Sequence, residues 1–172
     1  MTRQVPDAFQ DHYAEDVAHC YGCGRLNPNG HHIQTRWEGE ETVTRFTPEP
    51  HHTAIPGYVY GGLIASLIDC HGTGTAAAAA ARACGPEAGG GDRPGELPRF
   101  VTASLHVDYL RPTPLGPELE IRGRATQVTG RKVVVEARVL ANEQVTARGV
   151  VVAVRMPEAM STRDSPQADR SG

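Results

Sequence analysis

The distribution of apolar and polar positions along the chain predicts two short strands, one long helix and then four long strands. Segments 31–39 and 41–48 are the short strand candidates, and Gly39 lies near the turn between them. A helical pattern runs from about Val59 to Arg82. The long strand candidates follow it, at 101–111, 117–128, 132–142 and 144–156. In the first of these, apolar and polar residues alternate strictly, with Val101, Ala103, Leu105, Val107 and Tyr109 on one face and Thr102, Ser104, His106 and Asp108 on the other.

This order of elements predicts an α+β domain, because a lone helix buries itself only by lying across a sheet. Short turns near residues 129–131 and 142–143 make the long strands antiparallel neighbours. We expect one domain over residues 19–156, a polar lead-in at 1–18 and a disordered tail at 157–172. Three Gly- and Pro-rich segments are expected as loops, at 19–30, 48–62 and 85–96.

The predicted helix has two contrasting sides when its residues are placed at about 100° per residue. One side is bulky and holds Leu63, Ile64, Leu67, Ile68 and His71. The opposite side is small, not charged, and holds Gly62, Ala65, Ser66, Asp69, Thr73 and Ala76. We therefore expect both sides to be covered, one by the sheet of the same chain and the other by a partner subunit.

Asp69 is the only carboxylate on this helix, and it lies on the small side. Burial there raises the pKa expected for an acid, which suits a general base or a nucleophile. A purely structural role, with hydrogen bonds to Ser66, Thr73 or a partner's backbone, is an equally good interpretation of the pattern.

Gly61 and Gly62 stand where the helix begins, so unpaired N–H groups are expected to point outward there. Such a site can polarise a carbonyl group and stabilise an oxyanion. Asp69 lies roughly 10–12 Å further along the helix axis, which is too far for both groups of one chain to reach one carbonyl. The distance closes if Asp69 comes from a neighbouring subunit. The simpler alternative is that the two glycines serve tight packing.

Charge and composition exclude several classes of function. The chain has 172 residues and a formal net charge of −3, which gives no general affinity for nucleic acid or for an anionic membrane. The first twenty residues have acidic groups and no apolar run, unlike a signal peptide. We therefore expect a cytoplasmic protein whose four cysteines are reduced thiols.

Three segments resemble the acyl-CoA thioesterases of the hotdog superfamily, in the phenylacetyl-CoA thioesterase-like branch. They are YGGLIASLID at 60–69, VDYLRPTPLG at 107–116 and CYGCGRLNPNG at 20–30. The resemblance implies a hotdog fold, in which a curved antiparallel sheet wraps one long central helix. It also implies a homodimer or dimer of dimers with active sites at the subunit interface, and acyl-CoA or another acyl thioester as substrate.

The resemblance also assigns roles to individual residues. Asp69 matches the family's catalytic acid, and Gly61 and Gly62 match the residues whose N–H groups hold the thioester oxygen. Thr102 matches a hydroxyl position that helps to orient water. Tyr60 stands where the family signature has histidine, and it is able to donate a hydrogen bond.

Further substrate contacts are expected from side chains near the predicted site. His52, in the loop before the glycine pair, is a candidate for lining the mouth. Arg111 and the hairpin residues Arg131 and Lys132 are candidates for contacting the phosphates of coenzyme A, although solvated turn cations are as good an interpretation of each.

The sequence predicts no metal site and no cofactor. Cys20 and Cys23 form an HCxxC cluster with His19, but no second pair of ligands follows at zinc-binding spacing. Cys70 and Cys84 lie on or after the helix and are not expected to converge with that pair. Packing of the 19–30 loop is the preferred interpretation of these cysteines.

Three functions are consistent with these patterns. The first is hydrolysis of an acyl-CoA or acyl-carrier thioester, with Asp69 as general base or nucleophile. The second is a binding protein that holds an acyl thioester without hydrolysing it. The third is a hydratase-type hotdog enzyme, which would use His71, although a core histidine is the better interpretation of that residue.

Overall fold

A computed structural model describes residues 7–84 and 95–160, and these form one long helix packed against one antiparallel sheet. The helix α1 spans Gly61–Cys84. The strands are β1 (Thr35–Glu38), β2 (Glu41–Phe46), β3 (Phe100–Tyr109), β4 (Leu119–Val128), β5 (Lys132–Ala141) and β6 (Gln144–Arg155). Their order in the curved sheet is β1-β2-β4-β5-β6-β3. The α+β architecture and the hotdog fold expected from the sequence are confirmed.

Tight turns set the antiparallel order of the strands. Asn142 and Glu143 connect β5 to β6 with φ angles of 48° and 64°, the conformation of a two-residue turn that matches the twist of the strands it joins. Gly39 takes a φ of 66° between β1 and β2. The turns predicted near these residues are therefore present.

The bulky side of α1 builds the core against the middle strands. Its apolar residues are buried, together with the inward-facing residues of β4, β5 and β6: Leu63, Ile64, Leu67, Ile68, Ile121, Val133, Val135, Val139 and Val151. The helix and the sheet are in close contact at Gly72: a Cβ atom there would lie 2.5 Å from the Val151 side chain. A larger residue at position 72 would push the helix away from β6.

The small side of α1 is covered differently along its two halves. Residues 65, 66 and 69 in the first half are only half-buried, whereas Thr73 and Ala76 are buried within the chain itself. The segment before β1 lies against this second half, since a Cβ atom on Gly74 would stand 2.7 Å from Gln10 Nε2. The expectation that a partner subunit covers the whole small side is therefore wrong for Thr73 and Ala76.

The N-terminal residues pack into the domain although the sequence pattern set residues 1–18 apart as a lead-in. Phe9 and Gln10 are buried in a short 3-10 turn at Phe9–His12, and Tyr13 is buried between this turn and a second one at Glu15–Val17. At the other end, Glu158–Met160 form a third 3-10 turn. Residues 161–172 of the predicted tail, and residues 85–94 of the predicted loop, lie outside the described residues.

β3 lies at one edge of the sheet and is exposed along most of its length. Only Phe100 is buried, with Val101 and Val107 half-buried. The predicted alternation is interrupted by a bulge at Ala103, because Thr102 pairs with Ala153 and Ser104 pairs with Val152. None of the helices that the structure describes is long and apolar enough to cross a membrane.

Candidate active site

Asp69 lies on the half-buried side of α1, beside the start of β3. The Thr102 hydroxyl donates a short hydrogen bond to its Oδ1. Thr102 faces α1 because its cross-strand partner Ala153 is buried on that side of the sheet. The structure therefore brings together two of the four predicted catalytic residues as a hydrogen-bonded pair.

Burial raises the pKa of the Asp69 carboxyl above its ordinary value. The Thr102 hydrogen bond acts in the opposite direction, as does the positive charge of Arg99, while Cys20 adds to the rise. The carboxylate is thus a stronger proton acceptor than a solvated aspartate, and it remains partly exposed.

The glycine pair opens α1, as predicted. The N–H groups of Leu63 and Ile64 both donate to Tyr60 O, at 3.1 and 3.4 Å. The Gly61 and Gly62 N–H groups precede this first turn, where a helix supplies no acceptor of its own. The Tyr60 ring lies across Gly62, and a Cβ atom there would overlap it. Position 62 therefore has no room for a side chain while Tyr60 keeps this conformation.

Tyr109 also belongs to this site, although the sequence pattern gives it no functional role. Its hydroxyl donates to Gly61 O at 2.7 Å, and its ring stands 3.5 Å from the place of a Cβ on Gly61. Tyr109 lies within the VDYLRPTPLG segment and is 54% exposed. In the sequence, a large aromatic residue in a strand could have pointed to Tyr109. Its contact with the start of the helix, however, depends on how α1 crosses β3.

His52 takes part in the loop that leads to the glycine pair. Its carbonyl accepts the Tyr60 N–H at 2.9 Å, and its ring Nδ1 accepts the Glu49 N–H at 2.8 Å. Its ring also contacts those of His31 and His51, with centroids 5.2 and 4.3 Å apart. Burial, followed by the charges of His51 and His31, lowers the pKa of His52, which favours the neutral ring that accepts at Nδ1.

The cations expected to contact phosphates do not lie together in one chain. Arg111 follows β3, and its N–H donates to Thr146 O near the start of β6. Lys132 pairs with Val154 near the end of β6, and Arg131 precedes it. These two points are eight positions apart along β6, or roughly 27 Å. Arg111 is thus at the Gly61 end of the site, while Arg131 and Lys132 are at the opposite end of the sheet.

His71 is a core residue, as the helix pattern indicated. It is fully buried, and its two ring nitrogens lie 3.1 Å from Thr42 Oγ1 and 2.9 Å from Thr44 Oγ1. Burial lowers the pKa of this histidine to about 3. His71 points away from Asp69 and lies outside the candidate site. The hydratase hypothesis depended on this histidine.

Cys70 converges with the loop cysteines, so the expectation that it stands apart from them is wrong. Its sulfur is 3.9 Å from Cys20 Sγ, and the sulfurs of Cys20, Cys23 and Cys70 all lie within 4.8 Å of one another. The sequence spacing gave no indication of this, because the loop folds back on the middle of α1. Cys84 is exposed at the end of the helix.

The family of the chain follows from a comparison with protein-family models. The thioesterase superfamily model matches residues 56–148, which include the helix, the glycine pair, Asp69 and Thr102. The chain belongs to the thioesterase superfamily. The resemblance noted in the sequence is thereby confirmed at the level of the superfamily.

Several relatives are similar to the chain. A thioesterase superfamily protein from Shewanella loihica PV-4 is 50% identical, with 86% of this chain and 99% of that chain covered and a TM-score of 0.64. The acyl-coenzyme A thioesterase THEM4 of Xenopus laevis is 32% identical over 101 residues, which are 59% of this chain and 38% of the relative. The THEM4 of Mus musculus is 28% identical over 107 residues, or 39% of its length. The chain thus spans about two fifths of these curated relatives.

Proposed function

We propose that the protein hydrolyses an acyl-CoA or acyl-carrier thioester, and that Asp69 is the catalytic carboxylate. The observation that carries this proposal is the Asp69–Thr102 pair: a half-buried carboxylate on the side of α1 that the chain leaves partly open, oriented by a hydroxyl from β3. An acid in this setting needs a partner or a task to offset its desolvation. Membership of the thioesterase superfamily supports thioester hydrolysis as the reaction.

The proposed reaction needs only groups that the chain carries and water. Asp69 takes a proton from water as the water oxygen attacks the thioester carbonyl, and the C–S bond then breaks. The leaving thiolate receives the proton from Asp69. The Gly61 and Gly62 N–H groups stabilise the oxyanion that forms in between. Direct attack by the Asp69 carboxylate, followed by hydrolysis of the anhydride, uses the same groups.

We also propose that each site is shared between two copies of the chain. Gly62 and Asp69 lie on one side of α1, but they are seven positions apart, or roughly 10 Å along the axis. A carbonyl held by the glycine N–H groups of one chain is therefore attacked with the help of Asp69 from the other. The half-buried side of α1 and the exposed edge strand β3 adjoin each other, and they form the surface that a second copy would cover.

Coenzyme A as the thiol carrier is supported by the names of the curated relatives, which are acyl-coenzyme A thioesterases. In a two-chain site, Arg111 of one copy and Arg131 with Lys132 of the other are candidates for the phosphate contacts. These cations lie at opposite ends of one sheet, so we propose that they serve different chains.

The test is thiol release from short, long and aryl acyl-CoAs by wild type, Asp69→Asn and the control Asp16→Asn. Asp16 is an exposed carboxylate in the 3-10 turn at Glu15–Val17, so its change leaves the site intact. We expect wild type and Asp16→Asn to turn over at equal rates, and Asp69→Asn to lose at least about 100-fold in kcat.

Two results would overturn the proposal. Full activity in a folded Asp69→Asn variant would remove Asp69 from the chemistry. No thiol release from any substrate, together with a melting temperature that rises on adding acyl-CoA, would instead establish a non-hydrolytic binding protein. The position of the Tyr60 ring across Gly62 would then be the first explanation to test for the absence of hydrolysis.

A further inference from the structure

The three cysteines that converge beside α1 have the spacing of metal ligands. Thiolates bound to zinc at about 2.3 Å and tetrahedral angles stand about 3.8 Å apart. The Cys20 and Cys70 sulfurs are 3.9 Å apart, and Cys23 Sγ lies within 4.8 Å of both. A disulfide would need a separation of about 2.05 Å, and all three residues are free thiols.

The loop that carries Cys20 and Cys23 is shaped around these sulfurs. The Gly24 N–H closes the turn on Cys20 O at 2.8 Å, and the Ile33 N–H donates to Gly22 O at 2.9 Å. These backbone hydrogen bonds hold the loop in the conformation that places Cys20 and Cys23 beside Cys70. Gly22 must be glycine here, because a Cβ atom would overlap the Cys70 sulfur.

The surroundings of the three sulfurs suit a negatively charged group. The Arg99 guanidinium interacts electrostatically with all three cysteines, and it stacks over the Tyr13 ring with 4.6 Å between Cζ and the ring centroid. Tyr13 Oη and Arg99 Nη1 are both buried, and neither has a partner with hydrogen-bond geometry among the described residues. Buried polar atoms of this kind call for an occupant such as water or an ion.

We propose that Cys20, Cys23 and Cys70 bind a zinc ion through their three sulfurs, with water as the fourth ligand. Three thiolates with one Zn²⁺ carry a net charge of −1, which Arg99 balances. Binding releases the protons of the thiols that were still protonated. Among the described residues, no fourth ligand atom from His, Cys, Asp or Glu joins this group. Thiolate sulfur also favours zinc over magnesium or calcium.

The proposed ion joins two parts of the chain that are fifty residues apart in sequence. It fixes the loop at residues 20–23 to the middle of α1, one residue after Asp69. We expect it to stabilise the fold, because the free energy of metal binding adds to the free energy of folding. Metal binding at these sulfurs is independent of thioester hydrolysis, so it can be tested whatever the activity assay shows.

The experiment measures metal content and metal affinity of the full chain under reducing conditions. Zinc per chain is determined by elemental analysis after purification without added chelator. The stripped protein is then titrated with Co²⁺, whose thiolate charge-transfer absorption reports sulfur ligands, and with Zn²⁺ against a competing chelator. The variants are Cys23→Ser and Cys70→Ser, and the matched control is Cys84→Ser, an exposed cysteine outside the group.

We expect one zinc per chain in wild type and Cys84→Ser, a thiolate absorption with Co²⁺ in both, and an affinity at least ~100-fold weaker in Cys70→Ser. We also expect chelation to lower the melting temperature of wild type, a readout that holds if a serine variant fails to fold. The proposal is overturned if reduced wild type takes up no zinc or cobalt. It is also overturned if Cys70→Ser binds them as tightly as Cys84→Ser does, which would mark the uptake as adventitious.

Discussion

Asp69 has neighbours with opposite effects on its affinity for a proton. Burial against the start of β3 favours the neutral acid, whereas the Thr102 hydroxyl donates to the carboxylate and favours the charged form. The hydrogen bond therefore has a cost as well as a benefit: it orients Asp69 but weakens it as a base. Because Thr102 acts through Asp69, it is a positioning residue in the proposed reaction.

Thr102→Val should lower kcat/KM by about 10- to 100-fold, since hydrogen bonds to charged groups are worth about 1.5–3 kcal/mol. Thr102→Ser retains the hydroxyl and should stay within a few-fold of wild type. Steady-state thiol release on one acyl-CoA measures both. In an Asp69→Asn background, Thr102→Val should cost little more, because the two changes remove one interaction. A full additional loss in the double variant would contradict the role given to Thr102.

At the scale of the elements, the bulge in β3 explains why Thr102 reaches the helix. Strict alternation places Thr102 on the face opposite Leu105 and Tyr109. The extra residue at Ala103 returns Thr102 to their side, because its partner Ala153 and the partner of Leu105, Val151, are both buried under α1. Alternation alone therefore predicts the strand correctly and one of its key side chains on the wrong face.

The secondary-structure elements also show which features a local sequence pattern can predict. The helix, its bulky side and the turn at Asn142 depend on local spacing and turn chemistry, so they were predictable. The convergence of Cys70 with the 19–30 loop and the contact of Tyr109 with Gly61 depend on how separate segments cross. Local patterns contain no information about such crossings, and both were missed.

The packing of the N-terminal segment against β1 also depends on how separate parts of the chain meet. A substitution at Gln10 tests it. The Gln10 side chain exchanges two hydrogen bonds with Thr35, at 3.1 and 2.9 Å, and all of these atoms are buried. Gln10→Ala leaves the Thr35 N–H without a partner and should lower the free energy of unfolding by about 2 kcal/mol.

Urea denaturation with an unchanged m-value measures this loss. Gln34→Ala is the matched control, because Gln34 is exposed and its amide oxygen accepts from the side chain of Arg36 at the surface. We expect the control to change stability by less than about 0.5 kcal/mol. Equal effects of the two changes would show that the Gln10–Thr35 hydrogen bonds do not stabilise the fold.

At the scale of the whole molecule, the candidate site lies beside an exposed edge of the sheet. The edge strand β3 carries apolar side chains into solvent, with Leu105 37% and Tyr109 54% exposed. Its outer edge offers unpaired N–H and C=O groups, which proteins normally cover or protect. The half-buried side of α1 next to it contains Asp69. One surface therefore holds both the unprotected edge and the catalytic candidate, as expected if a second copy of the chain completes both.

Mixing two inactive variants tests this shared site. Asp69→Asn lacks the base, and Gly62→Val places a side chain where the Tyr60 ring and the oxyanion would lie, so each should be inactive alone. In a dimer that joins one of each, one of the two sites retains both Asp69 and Gly62. Random exchange of subunits should therefore restore about a quarter of wild-type activity.

Leu105→Arg, in the exposed edge strand, should make the protein sediment as a monomer, and it should abolish the rescue when it is present in both variants. Val128→Arg on β4 is the control, and it should have neither effect. Mixtures that stay as inactive as their components, while sedimentation shows that subunits have exchanged, would mean that each chain carries a complete site and that the 10 Å separation is bridged within one subunit.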